Sequence, residues 1–280
     1  MTSEHHSIIG LPGSGKTTFL AAFWHLINAG EIRTRLVLDK LEGDHRYLDA
    51  IVDVWRRCEE IPHTSAAAEA TVFIHVQERG SGRKAVLRFS DLSGESFELQ
   101  FVTRSCPAAY VEGFQGDGGL LLFVTADRGQ DGITIVELES ALAGAGAAER
   151  QGEKREWSHG LAPVQVRLVD LLQFLQRPPF RRLRRRVAIL VSAWDVVTTP
   201  APSPEEWLCR ELPLLHQFVS ANAASFESRV YGVSAQGGTL TGSDRLDLLR
   251  LTPSERIRCN GPESELHDLT VPIAWLMAKA

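Results

Sequence analysis

The residues best suited to chemistry stand near the start of the chain, in Gly10-Leu-Pro-Gly-Ser-Gly15-Lys16-Thr17. Two glycines with four residues between them, then Lys and Thr, fit the phosphate-loop pattern at every fixed position. Glycine reaches backbone conformations with φ > 0, so successive N–H groups can turn inward toward phosphate oxygens. A helix beginning near Lys16 adds the positive end of its dipole. In such a loop Lys16 neutralises the β- and γ-phosphates, and the Thr17 hydroxyl ligates Mg²⁺. Gly10, Pro12, Gly13, Ser14, Gly15 and Thr18 complete the expected cradle, with Pro12 giving up one N–H donor and stiffening the tip. The plain alternative, a glycine-rich turn without a ligand, does not require Lys and Thr to follow it.

Three further clusters follow in order. Asp91-Leu-Ser-Gly94-Glu95 comes after an alternating stretch. An Asp at a strand end can hold the metal shell, and a Gly N–H can sense a terminal phosphate; a simple Asp-capped turn is the other reading. Ser192-Ala-Trp194-Asp195 ends the apolar run VAILVS, and Ser234-Ala235-Gln236 ends RVYGVS.

This order of phosphate loop, Asp-x-x-Gly, strand-Ser-Ala-x-Asp and strand-Ser-Ala-x resembles the translation-factor and Ras-related (TRAFAC) GTPases. The resemblance implies that Asp195 accepts the paired N–H donors of guanine, while Ser234 and Ala235 line the base and Ser192 joins the nucleotide-binding residues. Adenine lacks those paired donors, so a buried carboxylate would be left unmatched by it. Where the family usually has Lys, this chain has Ala193. That loses a stem packing on the base and a tie to the phosphate loop, and implies weaker affinity or relaxed base choice. Trp194 is expected either to stack on the base in compensation or to anchor the core. A loop or cap carboxylate remains the alternative for Asp195.

More narrowly, IIGLPGSGKTTFLAAFWHLI, FSDLSGE and the terminal PIAWLM resemble the bacterial "double-GTPase" proteins. That likeness implies a nucleotide switch in a bacterial conflict or defence system beside a second GTPase. The Mg²⁺-sensing threonine of the first switch should lie between the first helix and the hairpin, where Thr64 is the choice, Thr71 the runner-up and a plain loop threonine the alternative. Asp91 would join the metal shell, and Gly94 and Glu95 would form the second switch. Glu95 can orient or deprotonate water but repels a γ-phosphate, so slow turnover accelerated by a partner's arginine is expected. Arg79, Arg83 and Arg104 lie nearby in sequence and none can be assigned that role.

The elements that must position these residues read as alternating strands and helices. Apolar runs at Leu120–Thr125 and Val187–Ser192 suit strands covered on both faces. Thr71–Gln77 and Ala85–Ser90 alternate around Arg79-Gly-Ser-Gly82 as a hairpin. Short strands at Leu36–Leu38 and Arg229–Ser234 complete the set. Helical spacing covers Thr18–Asn28, Gly43–Glu60, Val164–Gln176, Pro204–Asn222 and Glu263–Lys279. The fold expected is a single three-layer α/β phosphate-loop domain over 1–280. Its sheet is mixed and mostly parallel with one antiparallel hairpin edge, and the resemblance implies six strands. Residues 126–162, with Ala143-Gly-Ala-Gly-Ala147, read as a flexible insertion.

Composition narrows the partners. With 280 residues, 44% of them hydrophobic and 23% charged, the chain can bury a core without metal or disulfide staples. A net charge of −5 gives no polycation for nucleic acid or an anionic membrane. Six arginines within Arg177–Arg186 read first as a solvated connector. Four scattered cysteines and an N-terminus without a basic-then-apolar leader suggest a cytoplasmic protein. His5 and His6 read as part of a frayed end. Two rival functions stay open: a phosphate-loop kinase or ATPase with the arginine run as a lid, and a scaffold that holds nucleotide without hydrolysing it.

Overall fold

A computed structural model of the chain describes residues 4–40, 45–62, 72–89, 95–127, 159–197 and 200–278. One sheet of eight strands runs through them in the order β2-β3-β4-β1-β5-β6-β7-β8. The strands are β1 (Glu4–Gly10), β2 (Leu36–Lys40), β3 (Val72–Glu78), β4 (Lys84–Phe89), β5 (Leu120–Thr125), β6 (Arg185–Ser192), β7 (Phe226–Ser234) and β8 (Arg258–Asn260). β1 pairs in parallel with β4 on one side (Ser7 opposite Arg88) and with β5 on the other (Ser7 opposite Leu120). β5, β6 and β7 continue in parallel, whereas β2-β3-β4 is antiparallel, as the hairpin signal predicts. The short β8 adds an antiparallel strand on the far edge, so the sheet has eight strands rather than six.

Helices cover both faces. On one lie α1 (Lys16–Ala29), α2 (Arg46–Arg56) and, near the end of the chain, α10 (Val271–Met277), all packed in one core with Phe123, Leu190 and Tyr231. The other face carries α3 (Glu95–Thr103), α4 (Ala108–Glu112), α5 (Val164–Phe174), α6 (Pro204–Glu211) and α7 (Pro213–Ala221) over Leu122, Val124 and Ile189. α8 (Gly242–Arg250) and α9 (Pro253–Arg256) connect β7 to β8. Every residue of α1 from Phe19 to Ile27 is buried, which is why its sequence is apolar all round. The α2 stripe of Leu48, Ile51, Val52 and Trp55 instead faces inward on one side only. Each fully buried Leu, Val or Phe in β5 and β6 contributes about 1.5–3 kcal/mol. Leu122→Ala would therefore cost about 2–5 kcal/mol.

Several elements depart from the sequence reading for identifiable reasons. The helix expected over 204–222 breaks between Leu212 and Pro213, because proline cannot bond back into the preceding turn and instead starts α7. The last helix begins at Val271, not near Glu263. Buried Asp268 accepts from the Thr270 N–H at 2.8 Å and from the Arg35 N–H at 2.8 Å, which holds the approach to that helix non-helical. His6 is not part of a frayed end. It is 0% exposed within β1, and its Nδ1 accepts from the Gly119 N–H at 2.9 Å. Burial holds its ring well below the usual histidine range, at about 4.

The arginine run is likewise not wholly solvated. Arg177, Arg181, Arg182 and Arg184 are exposed, but β6 already begins at Arg185, which is buried. Its guanidinium donates to the carbonyls of Phe114 (2.6 Å), Gly116 (2.9 Å) and Gly118 (2.8 Å) and so fastens the loop that leads into β5. Arg186 lies over the Trp275 ring at 5.5 Å and donates to Glu227. Trp24, Trp55 and Trp275 are core residues, as their helical spacing suggests. Thr64, Thr71, Asp91, Gly94 and nearly all of the 126–162 insertion lie outside the described residues, as does the side chain of Glu95. Among the described residues no helix is long and apolar enough to cross a membrane.

Candidate nucleotide site

The phosphate loop leaves the C-terminal end of β1, the central strand, and enters α1 directly. In parallel sheets that end of the strands is where ligands sit. Gly13 and Gly15 take φ +71° and +84°, the left-handed region that other residues resist. Nothing stands within 4 Å of a Cβ at Gly13, so conformation alone requires glycine there. At Gly15 space is closed too, since a Cβ would approach Ser192 to 2.9 Å. Gly15 caps α1 with no side-chain oxygen, and the first turn holds no acidic residue. The N–H groups and dipole of a 14-residue helix are thus left for an external anion.

Lys16, 3% exposed, curls its ammonium back over this loop. It donates to the carbonyls of Gly10 (2.8 Å) and Leu11 (2.9 Å) and to Ser14 Oγ (3.4 Å). Those neutral acceptors hold the cation where polyphosphate oxygens would offer charged ones. A strut comes from the neighbouring strand: Ser192 Oγ donates to the Ser14 carbonyl at 2.9 Å. The tie to the phosphate loop that Ala193 cannot make is therefore supplied one residue earlier.

A cleft of about 810 Å³ opens over the loop. Pro12, Gly13, Ser14, Gly15, Lys16, Thr17 and Thr18 line it together with Phe123–Thr125 and Asp127. Glu59–Pro62, Gln236, Leu240, Glu98, Val164, Arg167 and Leu168 also line it. Thr125, Asp127 and Arg167 were not singled out from the sequence. The signal for the first two was available, because a strand end beside a phosphate loop is a ligand position.

Away from the loop the geometry differs. Asp195 is exposed on a short 3₁₀ turn (Trp194–Val196), and its Oδ1 accepts from the Ser234 hydroxyl, which itself accepts from the Gly237 N–H at 2.9 Å. The structure thus brings together Asp195 and Ser234 from the ends of β6 and β7. Trp194 does not face the cleft. Its ring lies against the backbone of Gly232, where a Cβ would come within 2.3 Å, and edge-on to Trp207 at 6.2 Å. Of its two expected roles, core anchor is the one that fits. Ala193 turns the chain with φ +53°. The Ala235 carbonyl accepts from Trp55 Nε1 at 3.0 Å, and Gln236 Nε2 donates to the Trp55 carbonyl at 3.3 Å. α2 therefore braces the loop that follows β7.

Of the residues expected to hold Mg²⁺, Thr17 is the one described, and it lines the cleft. A hydroxyl and phosphate oxygens suit this hard cation, which keeps several waters of its own.

Comparison with solved structures finds similar folds at low identity. A bacterial selenocysteine-specific elongation factor EF-Sec is 12% identical (TM-score 0.38), with 88% of this chain aligned to 28% of that one. The signal recognition particle receptor SRb-GTP/SRX complex from Chaetomium thermophilum is 15% identical (TM-score 0.41; 88% and 96%). The Arl6 BBS3 small GTPase from Trypanosoma brucei, with bound nucleotide analogue GppNp, is 12% identical (TM-score 0.38; 91% and 99%). This chain thus spans under a third of the elongation factor, and all three likenesses are too distant to bear on function. No curated protein matches the sequence. The model of the Double-GTPase 1 family, however, matches residues 7–276, from the strand that leads into the phosphate loop to the last helix. By that match the chain belongs to the Double-GTPase 1 family.

Proposed function

We propose that this GTPase-family protein is a Mg²⁺-dependent GTP switch with slow intrinsic hydrolysis, working as one phosphate-loop domain in the cytoplasm. The observation that carries the reading is the pre-formed anion cradle, in which an uncapped α1 N-terminus, two left-handed glycines and the buried Lys16 converge on one cleft floor. In this reading Gly13, Gly15 and Lys16 hold the β- and γ-phosphates, and Thr17 holds Mg²⁺ with Asp91 and Thr64. Bound Mg²⁺ would lower the charge on the phosphate oxygens. Gly94 senses the γ-phosphate and Glu95 orients the attacking water. Asp195 would exchange its Ser234 hydrogen bond for the paired donors of guanine, bordered by Ser234 and Ala235, while Ser192 steadies the phosphate loop. Trp194 acts from beneath by fixing the turn that presents Asp195.

A carboxylate beside a γ-phosphate favours slow turnover, and a protein partner, effector or activator would speed it. Membership of a double-GTPase family supports a second GTPase as that partner, in a bacterial conflict system. The test is Asp195→Asn. A guanine site loses GTP by about 10²-fold and gains xanthosine triphosphate. An adenine site is unchanged, and that outcome would return the protein to the ATPase or kinase class. Phosphate release by the wild-type chain under multiple turnover, lost in Lys16→Ala, separates a switch from an inert holder of nucleotide.

A further inference from the structure

Two cations line the cleft among the described residues. One is Lys16, which belongs to the phosphate loop, and the other is Arg167, in the first turn of α5. Arg167 is only 16% exposed, and its Nη1 donates to Glu98 Oε1 at 2.6 Å. Its Nε is buried and meets no partner among the described residues, so the fork is half used. Glu98 sits in the first turn of α3, the helix that starts right after Gly94. Glu98 is 44% exposed, so the pair adds little to stability. Its interest is its place: both residues line the cleft over the phosphate loop, and Glu98 belongs to the helix that the second switch would move.

On the proposed GTPase reading, we infer that Arg167 is this chain's own phosphate-neutralising arginine, parked on Glu98 until α3 shifts. A guanidinium fork suits phosphate oxygens as well as it suits a carboxylate, so the two compete for it. Slow turnover then follows from partial occupancy: Glu98 holds the fork most of the time, and only the remaining fraction of molecules brings a second cation to the transferring phosphoryl group. An activating partner need not insert an arginine. Displacing α3 suffices to release the one already present.

Single-turnover GTP hydrolysis, fluorescent GTP binding and GDP–aluminium fluoride binding, all without any partner, test this. Arg167→Ala should lower the rate by about 10²-fold and abolish the aluminium fluoride complex, with GTP affinity within about threefold. Arg167→Lys, which keeps the charge but not the fork, should fall between. Glu98→Gln should raise the rate by about tenfold, since it frees the fork. A merely structural ion pair predicts instead that both variants lose stability and neither gains rate. If Arg167→Ala and Arg167→Lys turn over like the wild type, or Glu98→Gln is no faster, the inference is overturned. Should the wild-type chain bind no GTP, the proposed function falls and the role of Arg167 with it, whereas GTP bound and hydrolysed alike by wild type and variants overturns the role of Arg167 alone.

Discussion

The two ends of the proposed nucleotide site are built by different means. At the phosphate end, the grip is backbone: Gly13 and Gly15 hold left-handed conformations, α1 presents uncapped N–H groups, and the Ser192 strut fixes the Ser14 carbonyl. At the base end the candidates are side chains from the ends of β6 and β7. There Asp195 is exposed and bound to Ser234, Ala193 offers no stem, and Trp194 has gone into the core. On the proposed reading the phosphate cradle is formed before any ligand arrives, whereas base recognition would require hydrogen bonds to be exchanged. Affinity should reside mainly at the first end and selectivity at the second.

The largest expected effect strikes the rigid end. Lys16→Ala should weaken nucleotide binding by about 10²–10³-fold, read by titration of a fluorescent nucleotide, because charge-assisted contacts to phosphate are lost. Only a small change would mean that the backbone alone carries the phosphates.

Next in size is acid sensitivity of the strand that leads into the loop. The His6 ring is held near 4 when folded, against about 6.5 when unfolded, so the native state disfavours the proton. Stability is therefore full above pH 6.5 and falls as pH drops toward 4, by roughly 3 kcal/mol in all. Urea titrations between pH 7 and pH 4 should show this loss in the wild type and not in His6→Gln, after subtraction of what both share.

A smaller effect tests the strut. Ser192→Ala should cost about 1 kcal/mol of nucleotide affinity, equal for GTP and ATP, since it acts on the loop and not on the base. If it changed GTP alone, Ser192 would belong to the base end. The smallest is a gain: Ala193→Lys should tighten GTP binding about threefold without affecting ATP, by restoring a stem where φ +53° permits it.

The same contrast explains what could be read from sequence. The phosphate loop is local, so eight consecutive residues specify it, and the apolar runs of β5 and β6 announce strands buried on both faces. Gly30 ends α1 with φ +64°, as its position after an apolar helix suggests. Features made by distant pairing were not legible. His6 and Arg185 are polar residues whose burial depends on Gly119 and on the 114–118 loop. β8 spans three residues, too few for a period, and exists because β7 offers an edge. Arg167 looks like any surface cation until α3 places Glu98 against it. Trp194 could be assigned to base or core only once Gly232 was seen to leave room for its ring.

Calorimetric affinity for GTP against ATP, with Mg²⁺ present and the protein free of co-purified nucleotide, bears most directly on the whole reading. The proposed function predicts GTP binding that is tighter than ATP binding and is lost in Lys16→Ala. Tight ATP binding with guanosine nucleotides ignored would contradict it.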